Sequence, residues 1–147
     1  MENCKIVTRL LDGEFLNYAS VIPENWETRI RVDKNAIQNC FERISLISSS
    51  SIEKEKKYPV KVNVDIGKVT ISCTNQTGDA KEEMYVTTEG KNLEAGFNPK
   101  YFLDSFKAID DEEVFVDFGS SISPCIIRPV EEGGDYIYMV LPIRMKD

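Results

Sequence analysis

The side chains that could do chemistry in this chain are carboxylates and cysteines, because its 147 residues include no histidine. The absence of histidine excludes Ser-His and Cys-His nucleophilic pairs and most zinc sites. Four cysteines, Cys4, Cys40, Cys73 and Cys125, lie far apart in the sequence and form no C-x-x-C pair. We therefore expect reduced, mostly buried thiols, which are typical of a cytoplasmic protein.

Acidic residues cluster in two places, at Asp110–Glu113 and at Glu131 and Glu132 near Asp135. Carboxylates alone can hold a divalent metal ion for hydrolysis, so a metal-dependent hydrolase is one hypothesis. Acidic runs beside turn signals are ordinarily the solvated faces of loops, and this interpretation is the stronger one. A measurement of divalent-metal binding separates the two hypotheses.

The composition describes one soluble globular domain, with 41% hydrophobic and 29% charged residues. No apolar run approaches the roughly 20 residues that span a bilayer, and the N-terminus lacks the features of a signal peptide. The net charge of -7 argues against nucleic acid as a partner. The two predicted helices together carry a slight positive excess, however, so they can still contact phosphates.

Alternating strands and two amphipathic helices must position these side chains. The first helix begins at Asp33, a favourable N-cap, and runs to about Ile47, followed by a polar surface loop over 48–57. The second helix opens with the favoured pair of Asn98 as cap and Pro99 in the first turn. Strands are predicted at 5–11, 26–32, 60–65, 69–74, 82–88, 93–97, 114–118 and 124–130, and from Tyr136 onward.

Each helix has an apolar stripe at the spacing of a core-facing surface. Leu46 follows Ile37 by about 900° of helix rotation, so it points away from the stripe and marks a candidate subunit contact. The stripes are Ile37, Cys40, Phe41, Ile44 and Ile47 in the first helix and Phe102, Leu103, Phe106 and Ile109 in the second. Shifting the first helix by 65 residues places Val32 on Phe97 and Phe41 on Phe106. We therefore predict an α+β fold of duplicated β-α-β-β-β units, with two helices packed on antiparallel sheets.

The C-terminal stretch is apolar almost to the last residue. Pro142 cannot donate a ladder hydrogen bond, so pairing should end there or continue only as an edge. Ile143 and Met145 then either pack back on their own domain or form one wall of a binding groove. The strand's two faces, both expected to be covered, are Ile137, Met139 and Leu141 on one side and Tyr136, Tyr138 and Val140 on the other.

Three segments carry a family resemblance. Leu10–Tyr18, followed by Val21–Pro23, matches a (L/V)-(V/I/L)-(D/E)-G-x-(F/Y)-P-x-Y core, except that Leu16 stands where proline is common. Asn98–Leu103 is similar to an F-N-x-x-Y-(L/F/V)-(L/I) helix start, and Tyr138–Arg144 to a terminal Y-x-x-(M/L)-P-(M/I/V)-R. Together they resemble the bacterial DNA polymerase III beta subunits, the sliding-clamp family, over essentially the whole chain, although the tail after the arginine is short.

The resemblance implies the last of about three clamp domains, with residues 1–23 as the last strand and connector of the preceding domain and 24–147 as the C-terminal domain. It implies a non-catalytic processivity factor without cofactor or metal. This factor would be a homodimeric ring that encircles duplex DNA without sequence preference. Its partners would be the DNA polymerase III alpha subunit, the clamp loader and other proteins with clamp-binding motifs. A peptide-binding module without a DNA role stays open as an alternative.

The resemblance also assigns three sets of residues. A peptide groove would use apolar residues from the connector and the C-terminal strand, DNA would face basic residues of the two helices, and the subunit boundary would lie at the end of the first helix. The residues are Leu16, Val21, Met139, Leu141, Pro142 and Ile143 for the groove; Lys34, Arg43, Lys100 and Lys107 for DNA; and Leu46 and Ile47 for the dimer interface. Without the resemblance, core packing and solubility are the simpler interpretations of the first two sets.

Overall fold

Two five-stranded antiparallel sheets and two helices make up the computed structural model, which describes residues 5–49, 59–76, 78–131 and 133–145. The elements in chain order are β1 Thr28–Asp33, α1 Lys34–Ser49, β2 Val60–Asp65, β3 Lys68–Asn75, β4 Gly78–Tyr85, β5 Thr87–Gly90, β6 Leu93–Phe97, α2 Pro99–Lys107, β7 Glu113–Phe118, β8 Cys125–Pro129, β9 Tyr138–Val140 and β10 Pro142–Ile143. Sheet I has the strand order β5-β1-β7-β8-β9, and sheet II has the order β10-β6-β2-β3-β4. This confirms the α+β fold with two helices on antiparallel sheets.

The duplicated halves exchange their first strands. β1 pairs with β7 of the second half, and β6 pairs with β2 of the first half. Each sheet therefore combines the first strand of one half with the consecutive antiparallel strands of the other. Neither half therefore completes a sheet by itself, although α1 packs on β3 and β4 of its own half.

The core lies between the sheets and the helices and is centred on phenylalanines. The Phe41 ring of α1 stacks on Phe102 of α2 with centroids 4.6 Å apart, and Phe97 meets Phe102 edge-on at 5.1 Å. All members of both predicted stripes are buried except Ile47, which is partly buried and packs against the same cluster. The stripe prediction is confirmed, and the aromatic contacts join the two halves.

Both predicted helix caps are present. The Asp33 carboxylate accepts a hydrogen bond from the backbone N–H of Ala36 at 2.7 Å. The Asn98 side chain accepts one from the N–H of Lys100 at 3.1 Å, with Pro99 in the first turn. Each cap satisfies a donor that has no partner inside its helix.

The predicted strand at 5–11 is not formed within this chain. Residues 5–17 have no regular secondary structure, and Leu10 and Leu11 are 96% and 97% exposed. A strand is stable only when a neighbour receives its backbone hydrogen bonds, and no described strand pairs with this segment. Its apolar and β-branched residues, which do not alternate with polar ones, are therefore not sufficient to form a strand here.

A second correction concerns the predicted strand at 82–88. The chain instead forms β4 and β5, which belong to different sheets, with the Val86 N–H donating to the Gly67 carbonyl at 3.0 Å between them. Exposed and half-buried side chains alternate through the junction between β4 and β5, so the sequence pattern does not show that the chain changes sheet there.

The loop predicted at 48–57 lies largely outside the described residues, and Ser48 and Ser49 belong to α1.

The C-terminal strand is covered on one face only, which corrects the expectation that both are. Val140 is buried and Tyr138 half-buried, whereas Ile137, Met139 and Leu141 are exposed. These three side chains are exposed because β9 is the last strand of sheet I, and nothing in the described chain fully covers the outer face of the sheet at that strand. After β9, Pro142 begins β10 at the edge of sheet II, which confirms the prediction that pairing beyond the proline continues only as an edge.

Neither helix in the described ranges is long and apolar enough to cross a membrane.

Candidate functional site

The apolar C-terminal residues lie where the chain crosses from one sheet to the other. Met139 of β9 pairs with Ile126 in sheet I, and Pro142 of β10 pairs with Phe97 in sheet II. Leu141 lies between the two strands and is exposed, as is Ile143. The structure thus brings four of the six predicted groove residues together on one short crossover. Contiguous exposed apolar side chains of this kind mark binding surfaces.

The tail beyond the crossover folds back over β6. A Cβ atom placed on Gly96 would lie 2.6 Å from Met145 Cγ and 3.0 Å from the Ile143 carbonyl oxygen. A side chain at position 96 would therefore displace the tail. Of the two alternatives for the tail, Met145 packs on its own domain while Ile143 remains accessible.

The other two predicted groove residues, Leu16 and Val21, lie in the connector, which we define as residues 5–26. A single 3-10 turn at Tyr18–Ser20 is its only regular element, closed by the Val21 N–H donating to the Tyr18 carbonyl at 3.1 Å. Among the described residues, no hydrogen bond or ion pair joins the connector to β9 or β10. Leu16 and Val21 are both exposed, so the second wall of the groove stays a prediction.

A charged anchor that sequence analysis missed holds the end of the connector to sheet I. The Arg29 guanidinium binds the Asp117 carboxylate through two hydrogen bonds, at 2.6 and 2.8 Å. It also lies 4.5 Å from the centre of the Trp26 ring and 4.4 Å from that of Phe115, between the two aromatic side chains. The hydrogen bonds to Asp117 raise the pKa of Arg29 above its ordinary value. Arg128 Nε lies 2.9 Å from the same carboxylate, although its N–H is not aimed along a hydrogen bond.

Three of the four predicted DNA-facing residues are lysines on the helices. Lys100 and Lys107 of α2 line a cleft between the two helices, together with Ser45 of α1. The Lys100 ammonium lies 3.8 Å from the Asp104 carboxylate, an exposed pair of small energetic value. Lys34 occupies the start of α1.

Arg43 is engaged elsewhere, in a bidentate pair with Glu82 of β4. Arg43 Nε lies 2.7 Å from Glu82 Oε1, and Nη2 lies 2.9 Å from Oε2. The pair raises the pKa of Arg43 and lowers the pKa of Glu82, in each case mainly through the hydrogen bonds between them. The guanidinium therefore points towards the edge strand of sheet II, which weakens its assignment to DNA.

The candidate dimer interface lies at the end of α1, beside β4, which pairs only with β3 among the described strands. Leu46 is 68% exposed, which confirms that it points away from the core stripe, whereas Ile47 is partly buried against the core. α1 packs on both β3 and β4. An exposed leucine thus adjoins an open sheet edge, and both could be covered by one partner.

The acidic run at 110–113 takes part in structural contacts. The Tyr136 hydroxyl donates to Asp111 Oδ2 at 2.6 Å, and Glu113 pairs with Arg31. Burial, followed by the hydrogen bond to Asp111, raises the pKa of Tyr136 above its ordinary value. Throughout the described ranges, no three carboxylate or thiol side chains stand close enough to share a metal ion. Glu132 lies outside the described residues.

The duplicated halves with exchanged first strands define a sliding-clamp fold. The structure superimposes on the DNA polymerase III beta subunit of Thermotoga maritima with a TM-score of 0.84 at 33% identity, covering 94% of this chain and 36% of that one. The DNA polymerase sliding clamp of Bacillus subtilis gives a TM-score of 0.84 at 28% identity, covering 95% and 36%. The fold is therefore shared with both proteins.

Sequence comparison identifies the family. The sequence model of the DNA polymerase III beta subunit, C-terminal domain, matches residues 19–144, so this chain belongs to that family. The beta sliding clamp of Staphylococcus aureus is 32% identical over 145 residues, which are 97% of this chain and 37% of the relative. The beta sliding clamp of Staphylococcus epidermidis is 31% identical over 144 residues. The chain thus spans little more than a third of the length of these relatives.

Proposed function

We propose that this chain serves as the C-terminal domain of a ring-shaped processivity factor in DNA replication. The ring encircles duplex DNA and tethers the replicative polymerase and other replication or repair proteins. The observation that carries the proposal is the match of residues 19–144 to the C-terminal-domain model of the beta subunit, together with the fold shared with solved beta subunits. The role is non-catalytic, needs no cofactor and belongs in the cytoplasm with the replication machinery.

The proposed division places residues 1–23 with a preceding domain and 24–147 in the C-terminal domain. Leu10 and Leu11 support it, because both side chains are apolar and almost fully exposed in this chain alone. An adjoining sheet would bury these side chains and pair with the backbone. The length of the native polypeptide, measured by mass spectrometry from its own cells, tests the division.

DNA would pass along the helix face of the domain. Lys100 and Lys107 are the stronger candidates for phosphate contacts, and Lys34 is a further candidate. Arg43 is a weaker candidate, because its guanidinium is paired with Glu82. Contacts of lysine with phosphate carry no base readout. Retention by a closed ring is topological, so the surface needs no high affinity.

We expect this chain alone to bind duplex DNA weakly, with a dissociation constant above about 10⁻⁶ M at physiological salt and no sequence preference. The net charge of -7 opposes binding, and added salt weakens it further through counterion release. Gel shifts with two unrelated duplexes provide the measurement. Lys107→Ala should reduce the residual binding, whereas Lys61→Ala, on the exposed side of a sheet strand, should not. A tight, sequence-specific complex would contradict the proposal.

Partner proteins would enter the groove at the C-terminal crossover. The DNA polymerase III alpha subunit, the clamp loader and other proteins with clamp-binding motifs would each present a short peptide with apolar anchors. Leu141, Pro142 and Ile143 would form one wall, and Leu16 and Val21 would begin the other. A few anchors usually supply most of the energy in such an interface.

Leu141→Ala should weaken peptide binding by about 1–3 kcal/mol, because it removes one buried apolar contact from the complex. The measurement is fluorescence anisotropy of a labelled peptide from the tail of a polymerase III alpha subunit. Ile66→Ala is the matched control, since Ile66 is also an exposed apolar residue but lies at the β2–β3 turn. Truncation after Val140 should abolish binding. Unchanged affinity in a folded truncated protein would place the groove elsewhere.

A homodimeric ring also requires a boundary between subunits, which we place at Leu46, Ile47 and the edge of β4. The exposed leucine beside β4, the last strand of sheet II in the described part of the chain, supports this placement. A peptide-binding module without a DNA role is the alternative, favoured by the acidic net charge. Ring closure separates the two, since a closed ring stays on circular DNA and slides off when that DNA is cut.

A further inference from the structure

One transverse row of side chains on the outer face of sheet I connects the charged anchor to the proposed groove. In register, Arg29 faces Asp117, Asp117 faces Ile126, and Ile126 faces Met139. Side chains in one row of a sheet point to the same face, and strands lie about 4.8 Å apart. The anchor and the groove residue Met139 therefore share one face, about 14 Å apart across three strand spacings.

The middle of this row is covered. Cys125, Ile126 and Ile127 are consecutive and all buried, although successive side chains of a strand point to opposite faces. Cys125 and Ile127 belong to the hydrophobic core, so Ile126, which is 2% exposed, is covered on the outer side. Ile22 and Pro23 of the connector are half-buried, which shows that the connector itself lies against other parts of the chain.

The connector is fixed at its end, beside the same row. The Glu27 N–H donates to the Phe118 carbonyl at 2.9 Å, and the Lys91 N–H donates to the Glu27 carbonyl at 3.0 Å. One residue earlier, Trp26 rests on the guanidinium of Arg29. Arg29 cannot turn aside, because its fork is bound to Asp117, whose side chain is only 3% exposed. The direction in which the connector leaves the sheet is thus set by a rigid stack.

We propose that Asp117 and Arg29 are positioning residues for the peptide groove, acting through Trp26. The stack directs the connector across the outer face of sheet I, over Ile126, so that Val21 stands opposite Met139 and sets the width of the groove. The inference rests on the proposed function, since it assigns a device to the groove proposed there. Neither residue touches the peptide.

The test compares variants that loosen the stack with a control pair on the same strands. Arg29→Lys keeps the charge but loses the planar fork, and Trp26→Ala removes the stacked ring without disturbing the buried ion pair. The control is Arg31→Lys, because Arg31 lies on the same face of β1 and pairs with Glu113 of β7. Anisotropy of the labelled alpha-subunit tail peptide gives the affinity, and thermal melting reports the fold.

Arg29→Lys and Trp26→Ala should each weaken peptide binding on the order of tenfold, with Arg31→Lys unchanged. A purely structural role would lower the melting temperature and leave peptide affinity intact in the folded fraction, which would overturn the inference. Coupling supplies a second readout, since residues that act through one another give non-additive effects. Trp26→Ala should have little further effect in a Val21→Ala background but its full effect in an Ile66→Ala background, and additivity in both would also overturn the inference.

The two proposals fail in different ways. If Leu141→Ala and truncation after Val140 leave peptide affinity unchanged, the groove itself is wrong. If these weaken binding while Arg29→Lys and Trp26→Ala do not, the groove stands and the positioning role is wrong. Should one of the two stack variants fail to fold, the other decides the result, because each alters a different contact of the stack.

Discussion

Replacing Phe102 with alanine is expected to lower the free energy of unfolding by about 3–5 kcal/mol. The ring is 1% exposed and contacts Phe41 of α1, Phe97 of β6 and Phe106 of its own helix, at centroid distances of 4.6, 5.1 and 5.9 Å. Truncation would leave a cavity between two helices that belong to different halves, so neither half can collapse to fill it. A domain is stable by only about 5–15 kcal/mol, so this loss is a large share.

Urea denaturation, followed by circular dichroism, measures the effect. Tyr101→Ala is the matched control, because Tyr101 is the preceding residue of the same helix and is 53% exposed. It should change the free energy of unfolding by less than about 1 kcal/mol. A loss for Phe102→Ala no larger than that of the control would show that the phenylalanine cluster does not hold the halves together.

Leu46→Asp is expected to convert the proposed dimeric ring into folded monomers. In a polypeptide that carries this domain behind its preceding domains, the subunit boundary would bury Leu46, and aspartate would bring an unpaired charge into it. The lost apolar burial and the desolvated carboxylate together cost at least about 3 kcal/mol, which is more than 100-fold in the dimer dissociation constant. Analytical ultracentrifugation at micromolar concentration distinguishes dimer from monomer.

Leu46 is exposed and lies outside the core, so its substitution should leave the domain folded. A loss of the dimer would therefore report on the interface and not on unfolding. Ile66→Asp is the control, introducing the same charge at an exposed apolar position on the β2–β3 turn. It should leave association intact. A Leu46→Asp variant that remains dimeric would remove this residue from the interface.

Local chemistry was sufficient to predict most of the elements. Asp33, Asn98 and Pro99 are capping residues whose preferences act within one helical turn, so the sequence alone locates both helix starts. The stripes and the β2–β3 hairpin follow from periods of 3.6 and 2 that the chain keeps over many residues. The apolar residues of the crossover stand out in the sequence because an apolar strand continues through Pro142, whereas their role in a groove comes from the family resemblance and stays a prediction.

Relations between distant residues could not be predicted in this way. Arg29 and Asp117 are 88 positions apart, and in sequence each is simply the polar member of an alternating strand. Only the register of β1 on β7 makes them neighbours. The division of 82–88 between β4 and β5 has the same origin, since periodicity shows which face a side chain takes but not which sheet receives the strand. The strand predicted at 5–11 has no pairing partner among the described strands, and its own residue types cannot show that.

The exchange of first strands between the halves has a consequence for synthesis of the protein. β1 is made early, but its central neighbour β7 follows only after the whole of the first half and α2. At about 5–20 residues per second, a nascent chain carries an incomplete sheet for several seconds. During that interval the face of α1 that later packs on α2, with the Phe41 ring on it, stays uncovered. A ribosome that pauses before β7 therefore carries an aggregation-prone folding intermediate. The choice of codons just before β7 thus affects the fraction of the protein that avoids aggregation.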